Sequence, residues 1–395
     1  MKITNIETIP LSLPISPFKD GMDKIAGQNA PTKFYEGEPI AHKRKRDRDG
    51  RPLMDYVLVK VRTDNDLVGM GEAPTDSYET LETVKFMIDR HVTPNLIGLD
   101  PFDIDRNNDV VSWRTDRMAL RHVSSAINYA LYDIMGKELG VPLYVLLGGK
   151  YREKVLASVE VPRGTPEDMT AHSKEYYDSG IRGIKAKIGS SPDRDAKCLK
   201  SIRDELGEKI SLRGDANESY TIQGAIRLAR LAEKNDVDLE VLEQPVTCSD
   251  LTGMRKVAHA VDTPVEADES AYSLYQVFEI LRRNACDVIN TKCSKAGGIS
   301  GVKKWATVAE AARKPIVIGT EYGLGPMVAT KVHLGAAIKN ADPVVEFTEI
   351  VLHDLLLKEQ LNLEDGYIRL PTKPGLGWEL DEKKIEEFTV RDFPA

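Results

Sequence analysis

Three acidic residues, Asp215, Glu243 and Asp268, each close a short β-like run of the sequence. Glu243 lies 28 residues after Asp215, and Asp268 lies 25 residues after Glu243. Because a strand, a helix and their loops take about this length, we expect the three acids at the ends of consecutive βα units. Carboxylates that converge there would form a hard oxygen site for Mg²⁺ or Mn²⁺. The alternative is that the three acids are unrelated surface residues. Their similar spacing, with each acid at the end of a strand-like run, argues against this alternative.

Two lysines, Lys185 and Lys187, share one face of the predicted strand 183–188, since side chains alternate with a period of two. If this face is the barrel interior, mutual repulsion and desolvation both favour the neutral amine. The pKa of a lysine would then fall towards the range that suits a general base. If the face meets solvent, the pair has no chemical role.

Further candidate groups follow later strands in the same phase. Lys292 lies 24 residues after Asp268 and is expected to face Lys187 across the barrel mouth. Lys295 lies beyond the strand end and is either a substrate ligand or an ordinary loop lysine. Glu321, 29 residues after Lys292, would orient a lysine or the substrate, or form a loop ion pair. The seven histidines lie away from these strand ends, which disfavours a histidine base.

Such a set can move protons next to a carboxylate. A divalent ion that binds the substrate carboxylate stabilises the second negative charge of an enediolate, while a lysine transfers the proton. Two lysines on opposite faces permit racemisation or epimerisation. One lysine is sufficient for cycloisomerisation or syn elimination.

Eight strand-like segments that alternate mostly with helical ones must position these groups, which indicates an α/β fold with a parallel barrel. A strand at 3–13, a hairpin at 55–71 and helices at 78–92 and 124–139 indicate a preceding α+β module. The predicted barrel strands are 155–161, 183–188, 210–215, 239–243, 264–267, 288–292, 315–320 and 344–347.

Length and composition agree with this organisation. The 395 residues exceed an ordinary core of about 150 but suit a barrel of about 250 plus a smaller module. A net charge of −8 gives no general attraction for nucleic acid or an anionic membrane. The first residues resemble neither a signal peptide nor a transmembrane helix, so we expect a cytoplasmic location. The four cysteines form no Cys-x-x-Cys pair and are interpreted as reduced structural thiols.

The motifs GIKAKIG, RGDAN, LEQP, ADES and TKCSKAGG, together with the helical stretch SSAINYALYDIMGKELGVPLYVLLGG, resemble the enolase superfamily and its muconate cycloisomerase subgroup. The resemblance covers nearly the whole chain apart from residues 17–50. It implies a modified (β/α)₇β TIM-like barrel with an α+β capping domain. The implied ranges are 1–136 for the cap, 137–357 for the barrel and 358–395 for a C-terminal segment that closes onto the cap.

The resemblance also implies roles for individual residues. Asp215, Glu243 and Asp268 would bind Mg²⁺ (or Mn²⁺), and Lys187 and Lys292 would form the acid/base pair. Lys185 would act as an electrostatic partner near the substrate carboxylate. The remaining residues assigned to substrate binding are Asn217, Lys295 and Glu321.

The implied function is Mg²⁺-dependent isomerisation of a small carboxylate substrate, as a cycloisomerase or a racemase/epimerase. The alternatives are a hydroxy-acid dehydratase and a non-catalytic metabolite-binding barrel. The family also implies a homo-oligomer. The histidine that follows the seventh strand in mandelate racemases is missing here.

Residues 17–50 depart from the family pattern. Six basic residues lie between 43 and 51, against the two acids Asp47 and Asp49. The segment is either a solvated loop or a lid that helps to select an anionic substrate. The basic residues are Lys43, Arg44, Lys45, Arg46, Arg48 and Arg51.

Overall fold

The computed structural model describes residues 1–15, 46–75, 80–115 and 120–391. Two sheets organise the described chain: a three-stranded antiparallel sheet near the N-terminus and a closed barrel of eight parallel strands. The predicted α/β class, with a TIM-like barrel and an α+β cap, is confirmed.

The cap sheet consists of β1 Ile3–Pro14, β2 Leu53–Thr63 and β3 Val68–Thr75 in sequential order. Its helical layer comprises α1 Leu81–Phe86, a π-helical turn Met87–Val92, α2 Thr93–Leu96, α3 Ile104–Thr115 and α4 Arg121–Glu138. Alternate β2 residues such as Val57 and Val59 are buried in the core that the sheet shares with these helices. A Cβ on Gly71 would lie 1.9 Å from the carbonyl oxygen of Ala126, so glycine allows α4 to pack directly on β3. The predicted first strand, hairpin and long helix are confirmed.

The short helix α5 Leu143–Leu146 leads from the cap into the barrel. The barrel strands are β4 Lys154–Val161, β5 Gly183–Lys187, β6 Ser211–Asp215, β7 Val241–Glu243, β8 Val265–Ala267, β9 Val288–Asn290, β10 Ile316–Ile318 and β11 Ala341–Glu346. The helices that follow them are α6 Pro166–Asp178, α7 Pro192–Leu206, α8 Ile222–Lys234, α9 Leu251–Ala258, α10 Leu274–Arg282, α11 Cys293–Ala296, α12 Ile299–Ala311 and α13 Pro326–Ala337.

Several outer helices begin at a side chain that caps the first turn. Thr165 forms a reciprocal capping box with Asp168 at the start of α6. Single caps at other helices are Ser191, Thr221, Asp250 and Ser273, each accepting a backbone N–H. These five barrel helices therefore have locally encoded start points.

The strand register places the chemical groups on a common level. Lys187 is opposite Asp215 across β5 and β6, and Asp215 is opposite Glu243 across β6 and β7. The parallel pairing of β11 with β4 closes the barrel. Near the other end, the buried side chains of Val241, Val288 and Val317 form an apolar cluster. The polar groups consequently lie towards the C-terminal ends of the strands.

The C-terminal segment contacts both parts of the molecule. After β11 come α14 Glu349–Leu352, the hairpin β12 Leu363–Glu364 and β13 Tyr367–Arg369, and α15 Glu382–Phe388. β13 pairs antiparallel with β4 of the barrel. On α15, Ile385 packs in the cluster that contains Leu11 of the cap, and Glu382 accepts hydrogen bonds from Lys60 at 2.9 Å.

A direct connection between cap and barrel is made by Glu72, a fully buried residue of β3. Its carboxylate accepts backbone N–H groups at the start of α13, from Leu324 at 2.8 Å and from Met327 at 2.7 Å. A negative charge at a helix N-terminus is favoured by the helix dipole. Within the described ranges, no helix combines the length and apolar character that crossing a membrane requires.

Candidate active site

The three predicted metal ligands lie at the C-terminal ends of three successive barrel strands. Asp215 ends β6, Glu243 ends β7, and Asp268 directly follows β8. Each is only 1% exposed. The sequence spacing therefore placed the three carboxylates correctly at neighbouring strand ends, where a hard divalent cation takes oxygen ligands.

The charges around these carboxylates fit a cation site. Burial acts to raise the pKa of Asp268, but the ammonium groups of Lys292 and Lys295 outweigh it and hold that pKa well below its usual value. Glu243 behaves in the opposite way: burial and the neighbouring Asp215 charge raise its pKa well above the usual range. The anionic form of Glu243 is therefore disfavoured mainly by burial and then by the Asp215 charge, and a divalent ion on the three carboxylates would offset both effects.

A second acidic group lies among the same strands. Carboxylate oxygens of Glu243, Glu266 and Glu346 are within 4.8 Å of one another, and all three residues are buried. Among the described residues, this is the acidic group whose oxygens are already close enough to share one cation, and Asp215 and Asp268 are not part of it. The Lys185 amine lies 2.8 Å from Glu346, and the Arg213 charge lowers the pKa of Glu266 against the larger effect of burial, which raises it to about 8. The positive charges of Lys185 and Arg213 thus already offset part of the negative charge of this group. The sequence analysis did not assign Glu266 and Glu346 to the site, although each shares the strand phase of the predicted ligands.

Lys185 and Lys187 both point into the barrel, as the period of two predicted. The Lys185 amine lies 3.2 Å from Glu243 and 3.4 Å from Glu160, and the Lys187 amine donates to Asp215 at 2.7 Å. The expected lowering of their pKa is wrong for this structure. Burial does act to lower the pKa of both lysines, but the surrounding carboxylates outweigh burial and mutual repulsion and raise it.

Lys292 and Lys295 approach Asp268 from two sides. Lys292 donates to Oδ2 at 2.6 Å, and Lys295 donates to Oδ1 and, at 2.9 Å, to the backbone carbonyl oxygen of Asp268. The Lys292 side chain is 22% exposed, whereas that of Lys295 is 1% exposed. Lys292 therefore retains access to the mouth. The Lys295 amine, predicted to bind substrate, lies in a closed environment between the rings of Tyr272 and Trp305.

The other two predicted substrate ligands lie at the rim. Asn217 has a positive φ of 39° and donates from its side chain to Glu269 at 2.9 Å. Its backbone N–H donates to Asp215 at 2.8 Å. Glu321 is partly buried beyond β10. Burial lowers the pKa of Lys292, but the charges of Asp268, Glu269 and Glu321 raise it above the usual value.

Glu160, at the end of β4, is a site residue that the sequence analysis missed. It is 4% exposed, lies 2.9 Å from the Lys187 amine and accepts the hydroxyl of Tyr322 at 2.7 Å. Burial acts to raise the pKa of Glu160, but the charges of Lys187 and Lys185 lower it to about 2. The available signal was an acidic residue near the C-terminal end of the first barrel strand, since an acid at the end of a barrel strand is also what identified Asp215.

The basic segment is only partly described. Lys43, Arg44 and Lys45 lie outside the described residues. Arg51 pairs with Asp47 in the turn that precedes β2, and Arg46 donates to the carbonyl oxygen of Gly50 at 2.7 Å. The described arginines of this segment therefore include two with local partners.

Comparison with known proteins agrees with the fold. Residues 48–148 match "Mandelate racemase / muconate lactonizing enzyme, N-terminal domain", and residues 168–384 match "Enolase C-terminal domain-like". The chain is an enzyme of the mandelate racemase/muconate lactonizing enzyme family, which belongs to the enolase superfamily, and its relatives include metal-dependent isomerases and a dehydratase.

Individual relatives cover most of the chain. The L-Ala-D/L-Glu epimerase of Bacillus subtilis is 30% identical over 389 residues, which cover 95% of this chain and 96% of the relative. Its substrate-liganded structure has a TM-score of 0.81 at 27% identity, with 96% and 99% of the two chains covered. Muconate cycloisomerase 1 of Pseudomonas putida is 31% identical over 347 residues, with 85% and 90% covered. Arabinonate dehydratase of Saccharolobus solfataricus is 29% identical over 346 residues, with 86% and 91% covered.

Proposed function

We propose that this enzyme racemises or epimerises a small carboxylate substrate by moving the proton on the carbon next to the carboxylate. The observation that carries the proposal is the placement of two lysines. Lys187 ends the second barrel strand and Lys292 follows the sixth, so they approach the mouth from opposite sides of an eight-stranded barrel. Each amine contacts a different member of the carboxylate triad.

Asp215, Glu243 and Asp268 would hold one Mg²⁺ or Mn²⁺. When bound, the ion stabilises the negative charge that develops on the substrate carboxylate. If Asp215 and Asp268 served as ligands, these carboxylates would hold the two lysines less firmly in the ammonium form. Lys187 and Lys292 would then be able to alternate between amine and ammonium, as an acid/base pair requires.

The proton transfer balances between the two lysines. On one face, the neutral amine of Lys187 or Lys292 takes the α-proton and becomes an ammonium group. The electron pair of the broken C–H bond stays on the substrate as the enediolate. The opposite lysine, as an ammonium group, donates its proton to the other face, which inverts the carbon centre. Racemisation in the reverse direction exchanges the two roles.

The test is a panel of N-acyl amino acids, dipeptides, betaines, hydroxy acids and muconate, incubated with enzyme and Mg²⁺ in D₂O. Deuterium incorporation at the α-carbon with inversion supports the proposal. Lys187→Ala and Lys292→Ala should each abolish inversion, and exposed Lys304→Ala serves as the matched control. Inversion that persists in both active-site variants would overturn it.

Dehydration of a hydroxy acid is the second candidate, favoured by the relationship to arabinonate dehydratase. A single lysine can remove the α-proton and, as an ammonium group, return it to the β-hydroxyl, which leaves as water when its C–O bond breaks. The enol that remains becomes the 2-keto acid. Formation of a 2-keto acid from a hydroxy acid in the same panel, without inversion of any member, would replace the isomerase proposal.

We also propose a homo-oligomer, which light scattering on the purified protein would test.

A further inference from the structure

The amine of Lys187 has two anionic partners that differ in kind. Asp215 accepts its hydrogen bond at 2.7 Å, and Glu160 lies at 2.9 Å. Asp215 belongs to the carboxylate triad proposed to hold the metal, whereas Glu160 extends from β4 on the other side of Lys187. An oxygen of Asp215 that binds a cation offers less negative charge to an ammonium group. Glu160 is then the partner that keeps the amine in place.

Glu160 is itself held firmly. One carboxylate oxygen accepts the Tyr322 hydroxyl at 2.7 Å, and the other faces Lys187. The backbone N–H of Glu160 donates to Thr348 Oγ1 at 3.0 Å. Because the residue is 4% exposed, water competes little for these contacts. The carboxylate is thus fixed in a position from which it can orient its neighbour.

Tyr322 adopts an unusual backbone conformation that aims its ring at Glu160. Its φ is 57°, in the left-handed region that a bulky aromatic residue rarely adopts. The carbonyl oxygen of Tyr322 accepts the hydroxyl of Tyr56 at 2.8 Å, and its N–H donates to Thr320 Oγ1 at 3.2 Å. Tyr56 is fully buried in the cap sheet. The cap and the barrel together therefore maintain the strained turn.

We infer that Glu160 is a positioning residue for the amine of Lys187, and that Tyr322, held by Tyr56 of the cap, fixes the Glu160 carboxylate. Glu160 lies 2.9 Å from Lys187 and 3.4 Å from Lys185, and of these two lysines only Lys187 is a proposed base, so the effect on proton transfer should favour the face that Lys187 serves. The inference rests on the proposed function, since it assigns a partner to one of the two proposed bases. It adds a connection from the cap to the proton-transfer chemistry that does not involve metal coordination.

The test measures α-proton exchange in D₂O separately for the two stereoisomers of the best substrate. The isomer that stops exchanging in Lys187→Ala is the one whose proton faces Lys187. In Glu160→Gln, exchange from this isomer should fall roughly 10- to 100-fold, because a misplaced base reacts slowly. Exchange from the other isomer should change less than about twofold, while racemisation slows in both directions.

Further variants separate positioning from folding. Glu160→Asp keeps the charge and should recover part of the lost exchange, and Tyr322→Phe should show a smaller loss with the same face preference. Mg²⁺ affinity measured by calorimetry should be unchanged in Glu160→Gln, since Glu160 is not a proposed ligand. Matched controls are Glu153→Gln, at the exposed start of the same strand region, and Tyr151→Phe, which is 66% exposed.

Two results would overturn the inference. Equal loss of exchange from both isomers in Glu160→Gln and in Tyr322→Phe would indicate general damage to the site, and equal retention would show that Glu160 does not serve Lys187. The proposed function is judged separately by Lys187→Ala and Lys292→Ala. If both of those variants exchanged both isomers normally, the function and the inference would fall together, whereas failure of the Glu160 variants alone would leave the function standing.

Discussion

Lys292 and Lys295 share the carboxylate of Asp268, one on each oxygen. They differ in access, since the side chain of Lys292 is partly exposed at the mouth and that of Lys295 is sealed. Lys295 also binds the backbone carbonyl oxygen of Asp268 at 2.9 Å, which fixes its position relative to the residue it serves. The arrangement separates a lysine that can reach substrate from one that holds the proposed metal ligand.

This difference predicts opposite phenotypes for the two alanine variants. Lys292→Ala should lose about 10²- to 10⁴-fold in turnover, as expected for removal of a general acid or base, with little change in the free energy of unfolding. Lys295→Ala should lower the free energy of unfolding by roughly 1–3 kcal/mol, because the buried Oδ1 and the backbone carbonyl oxygen of Asp268 lose their donor while Lys292 remains on Oδ2. Steady-state kinetics and urea unfolding in the metal-free state measure the two effects. A Lys292→Ala variant with near-full activity would exclude the two-lysine mechanism.

Metal binding should depend on all three triad carboxylates. Asp268→Asn keeps the size of the side chain and removes one formal charge, so Mg²⁺ affinity and activity should fall together. Asp215→Asn and Glu243→Gln should behave similarly. Calorimetric titration with Mg²⁺ gives the affinities, and exposed Asp204→Asn provides the control for a generic loss of charge. Unchanged affinity in all three variants would remove the metal from the proposal.

Acid should destabilise the protein partly through His333, which is fully buried on α13. Burial lowers the pKa of His333 from 6.5 to about 4, despite its contact with the Leu376 carbonyl oxygen. Its Nδ1 accepts the backbone N–H of Tyr144 at 3.2 Å, which requires the tautomer protonated at Nε2. Between pH 6.5 and 4 the unfolded chain binds a proton that folded His333 does not. The stability contribution is therefore present above pH 6.5 and is lost as the pH falls towards 4.

The full contribution is about 3 kcal/mol for a shift of this size. Chemical unfolding between pH 4 and 7.5 measures it. His333→Gln should lower stability at pH 7 but show a shallower decline towards pH 4, whereas the exposed His259→Gln should keep the wild-type slope. A remaining decline is expected because burial also lowers the pKa of His353 to about 4. Parallel stability profiles for wild type and His333→Gln would refute the assignment.

The parts of the site that follow from local rules could be predicted from the sequence. A strand has a period of two, so Lys185 and Lys187 had to share a face, and the βα spacing placed Asp215 and Glu243 at adjacent strand ends. The alternation of strand-like and helical segments likewise identified the barrel. These features depend on residues within one unit of the fold.

The pKa direction of the lysines could not be predicted in this way. Lys185 forms an ion pair with Glu346 of β11, and β11 neighbours β4 only because the barrel closes. Lys187 forms an ion pair with Glu160 of β4, and Tyr322, in the turn after β10, donates its hydroxyl to Glu160. These partners are distant in sequence, so the balance between burial and opposite charge is set by tertiary structure.

The cap is positioned over the barrel partly by Glu72, which supplies a further prediction. One of its oxygens accepts the N–H of Leu324, and the other accepts the N–H groups of Met327 and, at 3.4 Å, Gly325. Glutamine has the same shape but only one acceptor oxygen, so its NH₂ group would face an N–H donor. One buried backbone N–H would then lack a partner, at a cost of about 1–3 kcal/mol.

Glu72→Gln should therefore lower the free energy of unfolding by about this amount, and Glu72→Ala should lower it further because all three N–H groups lose their acceptor. The loss concerns the turn that also carries Tyr322, so the variants should in addition slow α-proton exchange on the face served by Lys187. Urea unfolding and the isomer-resolved exchange assay measure the two effects. Glu7→Gln, at an exposed pair with Arg62, is the control and should change stability by less than about 1 kcal/mol. Wild-type stability in Glu72→Gln would show that the cap is held in place by its other contacts, those of α4 and α15.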